Sequence, residues 1–241
     1  MFKRNLALLA IIILPRWRRR QYFIYVFIIP LIVFLVSMFE RHVSPNGVLY
    51  ISLLMALIGV IVGALFNGIR VFGLVPDYHG LLQTLPISQL RIFFTRLITV
   101  LIDVQLSIII ILFAAFVGWH IALNLPLLWL YESLVLSMAI IMIAVGVIIA
   151  RLAGTSSAAM AWARIVLFSI FFLGGGGYVF SSAFPPFIAT LQRYLPTGIM
   201  HAEIASIVHG SGIEAIDIVM MGLWQVVLVG TALLLPTKCR I

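Results

Sequence analysis

Apolar stretches long enough to cross a bilayer recur along this chain, separated by short breaks of arginine, proline, glycine and asparagine. A hydrocarbon core is roughly 30 Å thick, which takes about 20 helical residues to cross. Lipid offers no partner to backbone N–H and C=O groups, so each such stretch reads as a helix. The pattern predicts six spans, at 22–39, 48–69, 92–117, 127–150, 163–182 and 215–235.

Two stretches break this alternation. Residues 76–91 read PDYHGLLQTLPISQLR, the most polar run in the middle of the chain. Tyr78, Leu81, Leu82 and Leu85 fall on one face of a helix, with Asp77, His79, Gln83 and Thr84 between them. Asp77 complements the helix dipole at the start. Pro86 stops the helix, and Ser88 can cap the next one. A helix from Asp77 to Leu85 is about 13 Å long. It either lies on the lipid surface or forms a rigid docking element for a cytoplasmic partner. The second exception is 183–214, between spans five and six. It is too apolar for a free loop and too broken by proline for one helix. Two short helices, at 187–194 and 197–209, dipping into the outer membrane face would fit, provided protein or a water-filled cavity covers the irregular backbone.

At the amino terminus, LALLAIIIL is only nine residues, too short to span, and PRWRRR follows it. No small-residue cleavage site follows, which speaks against a signal peptide. A helix over 1–20 lying in the cytoplasmic interface, arginines toward anionic headgroups, fits better.

Charge fixes the orientation. Thirteen of the fifteen Lys and Arg fall on one side of the six-span arrangement: Lys3, Arg4, Arg16, Arg18, Arg19, Arg20, Arg70, Arg91, Arg96, Arg151, Arg164, Lys238 and Arg240. Only Arg41 and Arg193 fall on the other. The positive-inside rule places the larger group, and with it both termini, in the cytoplasm. With 64% hydrophobic and 9% charged residues among 241, a soluble domain is excluded. The net charge of +8 sits at span ends and does not signal a nucleic-acid partner. A single cysteine, Cys239, excludes an internal disulfide and a cysteine metal cluster. No Gly-rich phosphate loop with its lysine occurs, so ATP is not bound through that motif.

Polar groups inside the spans are few. Arg96, Thr99, Asp103 and Ser107 share one face of span three. A charge near the bilayer centre costs roughly 2.5–3.5 kcal/mol, so Asp103 is expected to face protein or water. It either contacts substrate or a gate, together with Thr99 and Ser107, or makes a structural hydrogen bond to a neighbouring span. Ser52, Ala56, Gly59, Gly63 and Asn67 form a small-residue stripe on span two, read as close helix packing within the subunit or across a dimer. Gly174, Gly175, Gly176 and Gly177 in span five are either a close-packing site or a hinge. His201 and His209 are two turns apart with Glu203 on another face, too sparse a set for zinc. No Ser–His–Asp or paired-carboxylate arrangement is readable.

With these features in order, the chain resembles the permeases of the type-2 ABC exporters over essentially its whole length. The carrying residues are the stretch DYHGLLQTLPIS, with Asp77, Gly80, Leu81, Leu82, Leu85, Pro86, Ile87 and Ser88, and the steps Phe184-Pro185 and Leu195-Pro196 between spans five and six. The resemblance implies an all-α polytopic membrane protein with a single permease domain over 1–241. Its parts would be an N-terminal interfacial helix, six transmembrane helices, a cytoplasmic coupling helix over 76–86, and two short extracellular re-entrant helices within 183–214. It implies a separate ATP-binding subunit, docked on Asp77, Tyr78, Gly80, Leu81, Leu82, Leu85 and Pro86, which carries ATP and Mg. It also implies a second permease, identical or a paralogue, and export across a bacterial plasma membrane. The apolar, aromatic-rich spans point to a hydrophobic or amphipathic cargo: a drug, an antimicrobial peptide or a lipid. The competing class is a transporter or channel driven by an ion gradient, which would favour more intramembrane acids and an inverted repeat.

Overall fold

The computed structural model describes residues 45–72, 97–98, 101–102, 105–106, 108–110, 112–113, 116–117, 125–153, 155–173 and 186–235. Six helices are defined there: α1 Pro45–Phe72, α2 Leu125–Ala153, α3 Ser156–Leu173, α4 Pro186–Tyr194, α5 Pro196–His209 and α6 Ala215–Leu234. The described positions between 97 and 117 are helical as well, and no strand occurs among the described residues. Among the described residues three helices are long and apolar enough to cross a membrane: Leu49–Ile69, Pro126–Ala153 and Ala215–Leu234. They coincide with the spans expected at 48–69, 127–150 and 215–235. The expected 1–20 interfacial helix and the span at 22–39 lie outside the described residues, as does the 76–86 helix.

α1, α2 and α6 run in the same direction. Near the start of the first pair, the buried Tyr131 hydroxyl donates to the Leu53 carbonyl at 2.8 Å. Near their ends, Gly68 and Gly146 let the backbones touch. A Cβ on Gly146 would stand 2.4 Å from the Leu65 carbonyl oxygen, and one on Gly68 would stand 2.6 Å from that of Ile143. Leu53 with Tyr131 and Gly68 with Gly146 are each 78 residues apart, so the two helices keep one register over 15 residues. α6 joins with the same polarity, because Arg151 near the end of α2 donates to the carbonyls of Ala232 and Leu235 at the end of α6. The bundle thus has two distinct ends, marked here by Tyr50 and by Arg151.

α2 is the central helix. Met138, Ile141, Ile143 and Val147 are fully enclosed, and 67% of its apolar window is buried. For α6 the figure is 11%, with Val219, Leu223 and Val226 facing outward. An apolar helix so exposed has lipid as its natural solvent.

The helix of span five begins earlier than hydropathy predicts, at Ser156 rather than 163. Thr155 starts it: its Oγ1 accepts from the Ala158 N–H at 3.3 Å and its carbonyl from Ala159 at 3.0 Å. Helix starts are set by caps, whereas a span is set by the first apolar residues. Ala159 and Ala163 pack inward, and Arg164 stands exposed about 12 Å along the helix from its first residue.

The two short helices expected at 187–194 and 197–209 occur as α4 and α5. Pro196 sits in the first turn of α5, where its missing N–H costs nothing, and Leu195 before it is extended at φ −78°, ψ 143°. The turn between them is so tight that a Cβ on Gly198 would overlap the Gln192 carbonyl oxygen. Gly210, at φ 72°, ends α5 in the left-handed conformation, its N–H bonded to Ile207 O.

A buried polar junction as candidate functional site

Most residues singled out by sequence lie outside the described set: Asp77, Tyr78, Gly80, Leu81, Leu82, Leu85 and Pro86 in the docking helix, Thr99, Asp103 and Ser107 in span three, and Gly174 to Gly177. The small-residue stripe is described, and it does not make the closest helix approach. A Cβ on Gly59 or Gly63 would meet nothing within 4 Å among the described residues. The backbone contact lies lower on α1, at Gly68, one face round from the stripe.

The polar side chains that do come together sit at the Tyr50 end, around α5. Eight of its residues are buried: Pro196, Thr197, Ile199, Met200, His201, Glu203, Ile204 and Ile207. The helix is wedged among α1, α2, α3 and α6. On its α1 side, the Tyr50 hydroxyl lies 2.6 Å from Nε2 and 3.0 Å from Nδ1 of His201, with the rings edge to face. Burial pushes His201 below its ordinary value, so the ring is neutral and can accept from the tyrosine hydroxyl.

On the other side Glu203 meets the start of α6. It is 1% exposed. Its Oε1 accepts from the Glu214 N–H at 3.3 Å, at the residue that caps α6. Carboxylates are favoured at a helix N-terminus, where orphan N–H groups and the dipole are positive. Its neighbours, however, are acids. Burial first, and then hydrogen bonding to the Asp217 side chain, push the Glu203 carboxyl up to about 7; the Glu214 N–H works in the opposite direction.

The hairpin of α4 and α5 reaches well down the bundle. Trp224, ten residues into α6, donates its indole N–H to the Tyr194 carbonyl at 2.9 Å. Glu203 meets Glu214 at the top of the same helix. The first half of α5 therefore runs antiparallel to the first half of α6, and the α4–α5 turn lies about 13 Å along α6 from its start. The indole satisfies a terminal carbonyl of α4 that would otherwise lack a partner.

A second polar contact joins span three to α2: the Gln105 amide donates to Glu132 Oε2 at 2.6 Å. Sequence reading passed over both residues, as it did Tyr50 and Asp217, and weighed Glu203 only as a zinc ligand. A signal existed for Glu203. It takes a stripe position with Met200, Ile204 and Ile207, where an apolar residue is expected. Glu132 is likewise the lone acid within 125–153. Among the described residues no three His, Cys, Asp or Glu converge to hold a metal ion.

No family model, no curated protein and no solved structure matches the chain.

Proposed function

We propose that the chain is the membrane permease of an ATP-driven exporter of the type-2 ABC kind. The observation that carries this reading is the α4–α5 hairpin, inserted along α6 as far as Trp224. In a bilayer such a hairpin is a re-entrant pair, entering from the face opposite the basic one. It occupies the place between spans five and six where the resemblance expects one. Non-helical backbone at that depth needs protein cover, and the Trp224 indole supplies it at Tyr194.

Polarity supports the same topology. Three helices running in parallel need a return between each, which spans three and five of a six-span chain provide. The Arg151 end gathers the ends of α1, α2 and α6, which lead in sequence to Arg70, Arg151, Lys238 and Arg240. By the positive-inside rule this end faces the cytoplasm. α1 leads from it toward 76–86, so the docking helix would start at the cytoplasmic face. A separate ATPase with its ATP and Mg would press on that helix, in a dimer of permeases, and move a hydrophobic or amphipathic molecule outward.

Isolation from native membranes is the test. An ATP-binding subunit is expected to copurify, and transport is expected to stop on ATP depletion. Replacing Leu81 and Leu82 by aspartate removes apolar burial of about 1.5–3 kcal/mol per side chain. That variant is expected to insert normally yet lose both the ATPase and transport. A second reading, an ion-gradient-driven transporter, is favoured by the buried Glu203 beside Asp217. Transport that survives ATP depletion and collapses with a protonophore would select it.

A further inference from the structure

We propose that Glu203 carries a proton that it donates to Asp217, and that this hydrogen bond latches α5 onto α6. Three observations converge on it. Glu203 is 1% exposed. Its Oε2 is buried and no donor among the described residues reaches it. The group within hydrogen-bonding reach is the carboxyl of Asp217, one turn into α6. Two ionised carboxylates cannot make that contact, since each only accepts; with one proton, Glu203 donates and Asp217 accepts.

Among the described residues nothing competes for this proton. Among the described residues, Asp217 and Glu214 are the charged groups that act on Glu203, both acidic and both at the start of α6. On α1, Tyr50 is engaged with His201, which is two residues from Glu203 and thus on another face of α5. On α2, Tyr131 donates to Leu53 and Glu132 takes Gln105. Arg164 on α3, and Arg193 and Tyr194 on α4, are exposed. The Glu214 N–H occupies Oε1 alone. Removing the proton would leave two facing carboxylates with one N–H between them, one of them buried, and α5 would be driven off α6.

The sign of the pH effect follows. Glu203 titrates near 7 in the folded chain against an ordinary value of 4.5. The folded state therefore holds more protons than the unfolded one between these values. The latch is complete below about pH 4.5 and is lost as pH rises through about 7. It operates whatever the chain transports.

Nitroxide labels on Ala202→Cys and Ile216→Cys, both at exposed positions, in a Cys239→Ser background of the full chain in lipid discs, read the distance between α5 and α6. At about pH 5.5 a single short distance is expected, and at about pH 8.5 a longer, broader distribution, the two values bracketing the Glu203 midpoint. Glu203→Gln donates without titrating and is expected to stay short at both. Asp217→Asn supplies an N–H to ionised Glu203 and is expected to do the same, so the test survives if either variant fails to fold. A wild-type distance unchanged between the two pH values overturns the latch. So does a pH response that persists in either variant.

Discussion

The two ends of the bundle are held by opposite means. At the Arg151 end, α1 and α2 touch backbone to backbone through Gly68 and Gly146, and α6 is tied on by a permanent cation bonded to main-chain carbonyls. Nothing in that set titrates near neutrality, and the glycine contact leaves no room between the two backbones. At the Tyr50 end the contacts run through side chains: Tyr50 to His201, Glu203 to the start of α6, Trp224 to Tyr194. Side-chain contacts have alternatives, because rotamers turn and protons leave. A helix bundle fixed at one end and adjustable at the other is suited to opening at the adjustable end.

Four substitutions probe that contrast. The largest effect is expected from Gly146→Ala. Its new Cβ would meet the Leu65 carbonyl at 2.4 Å, backbone against backbone, at a cost of about 3 kcal/mol or more. Thermal unfolding in detergent checks it. Gly59→Ala meets nothing within 4 Å among the described residues and should instead gain up to about 1 kcal/mol of helix propensity. Equal losses at the two glycines would erase the distinction. Next comes Arg151→Gln, which gives up charged hydrogen bonds to Ala232 and Leu235. It is expected to lower stability by about 2 kcal/mol, with faster hydrogen exchange confined to the last turn of α6. The smallest is Trp224→Phe, which keeps the ring and drops one neutral hydrogen bond. It is expected to cost about 1 kcal/mol and to speed exchange around the α4–α5 turn. A Trp224→Phe loss as large as that at Gly146 would mean that the Tyr50 end is not the softer one.

Sequence reading recovered the elements that local chemistry decides. Spans at 48–69, 127–150 and 215–235 follow from unbroken apolar runs, and the helices at 187–194 and 197–209 follow from Pro186 and Pro196, which start helices and break what precedes them. It missed what depends on which side of a helix meets a neighbour. The stripe at Gly59 and Gly63 and the contact at Gly68 are equally visible as glycines; only the crossing of α1 with α2 chooses between them. The start at Ser156 was hidden because Thr155, Ser156 and Ser157 are polar yet cap and build a helix. Polar contacts were the least legible. Tyr50 and His201 are 151 residues apart, and nothing in either neighbourhood names the other.

Arg151 imposes an order on how the protein is made. Its carbonyl partners are 81 and 84 residues further along the chain. At roughly 5–20 residues per second, the guanidinium waits about 4–16 s before α6 is synthesised. Until then α2, already fixed by Tyr131 and Gly146, ends in an unsatisfied cation that holds it at the aqueous surface. The arrival of the last helix supplies two carbonyls to the guanidinium. A ribosome stalled before Ala232 would leave a nearly complete bundle with this one charge unanswered, a local mark by which an unfinished chain differs from a finished one.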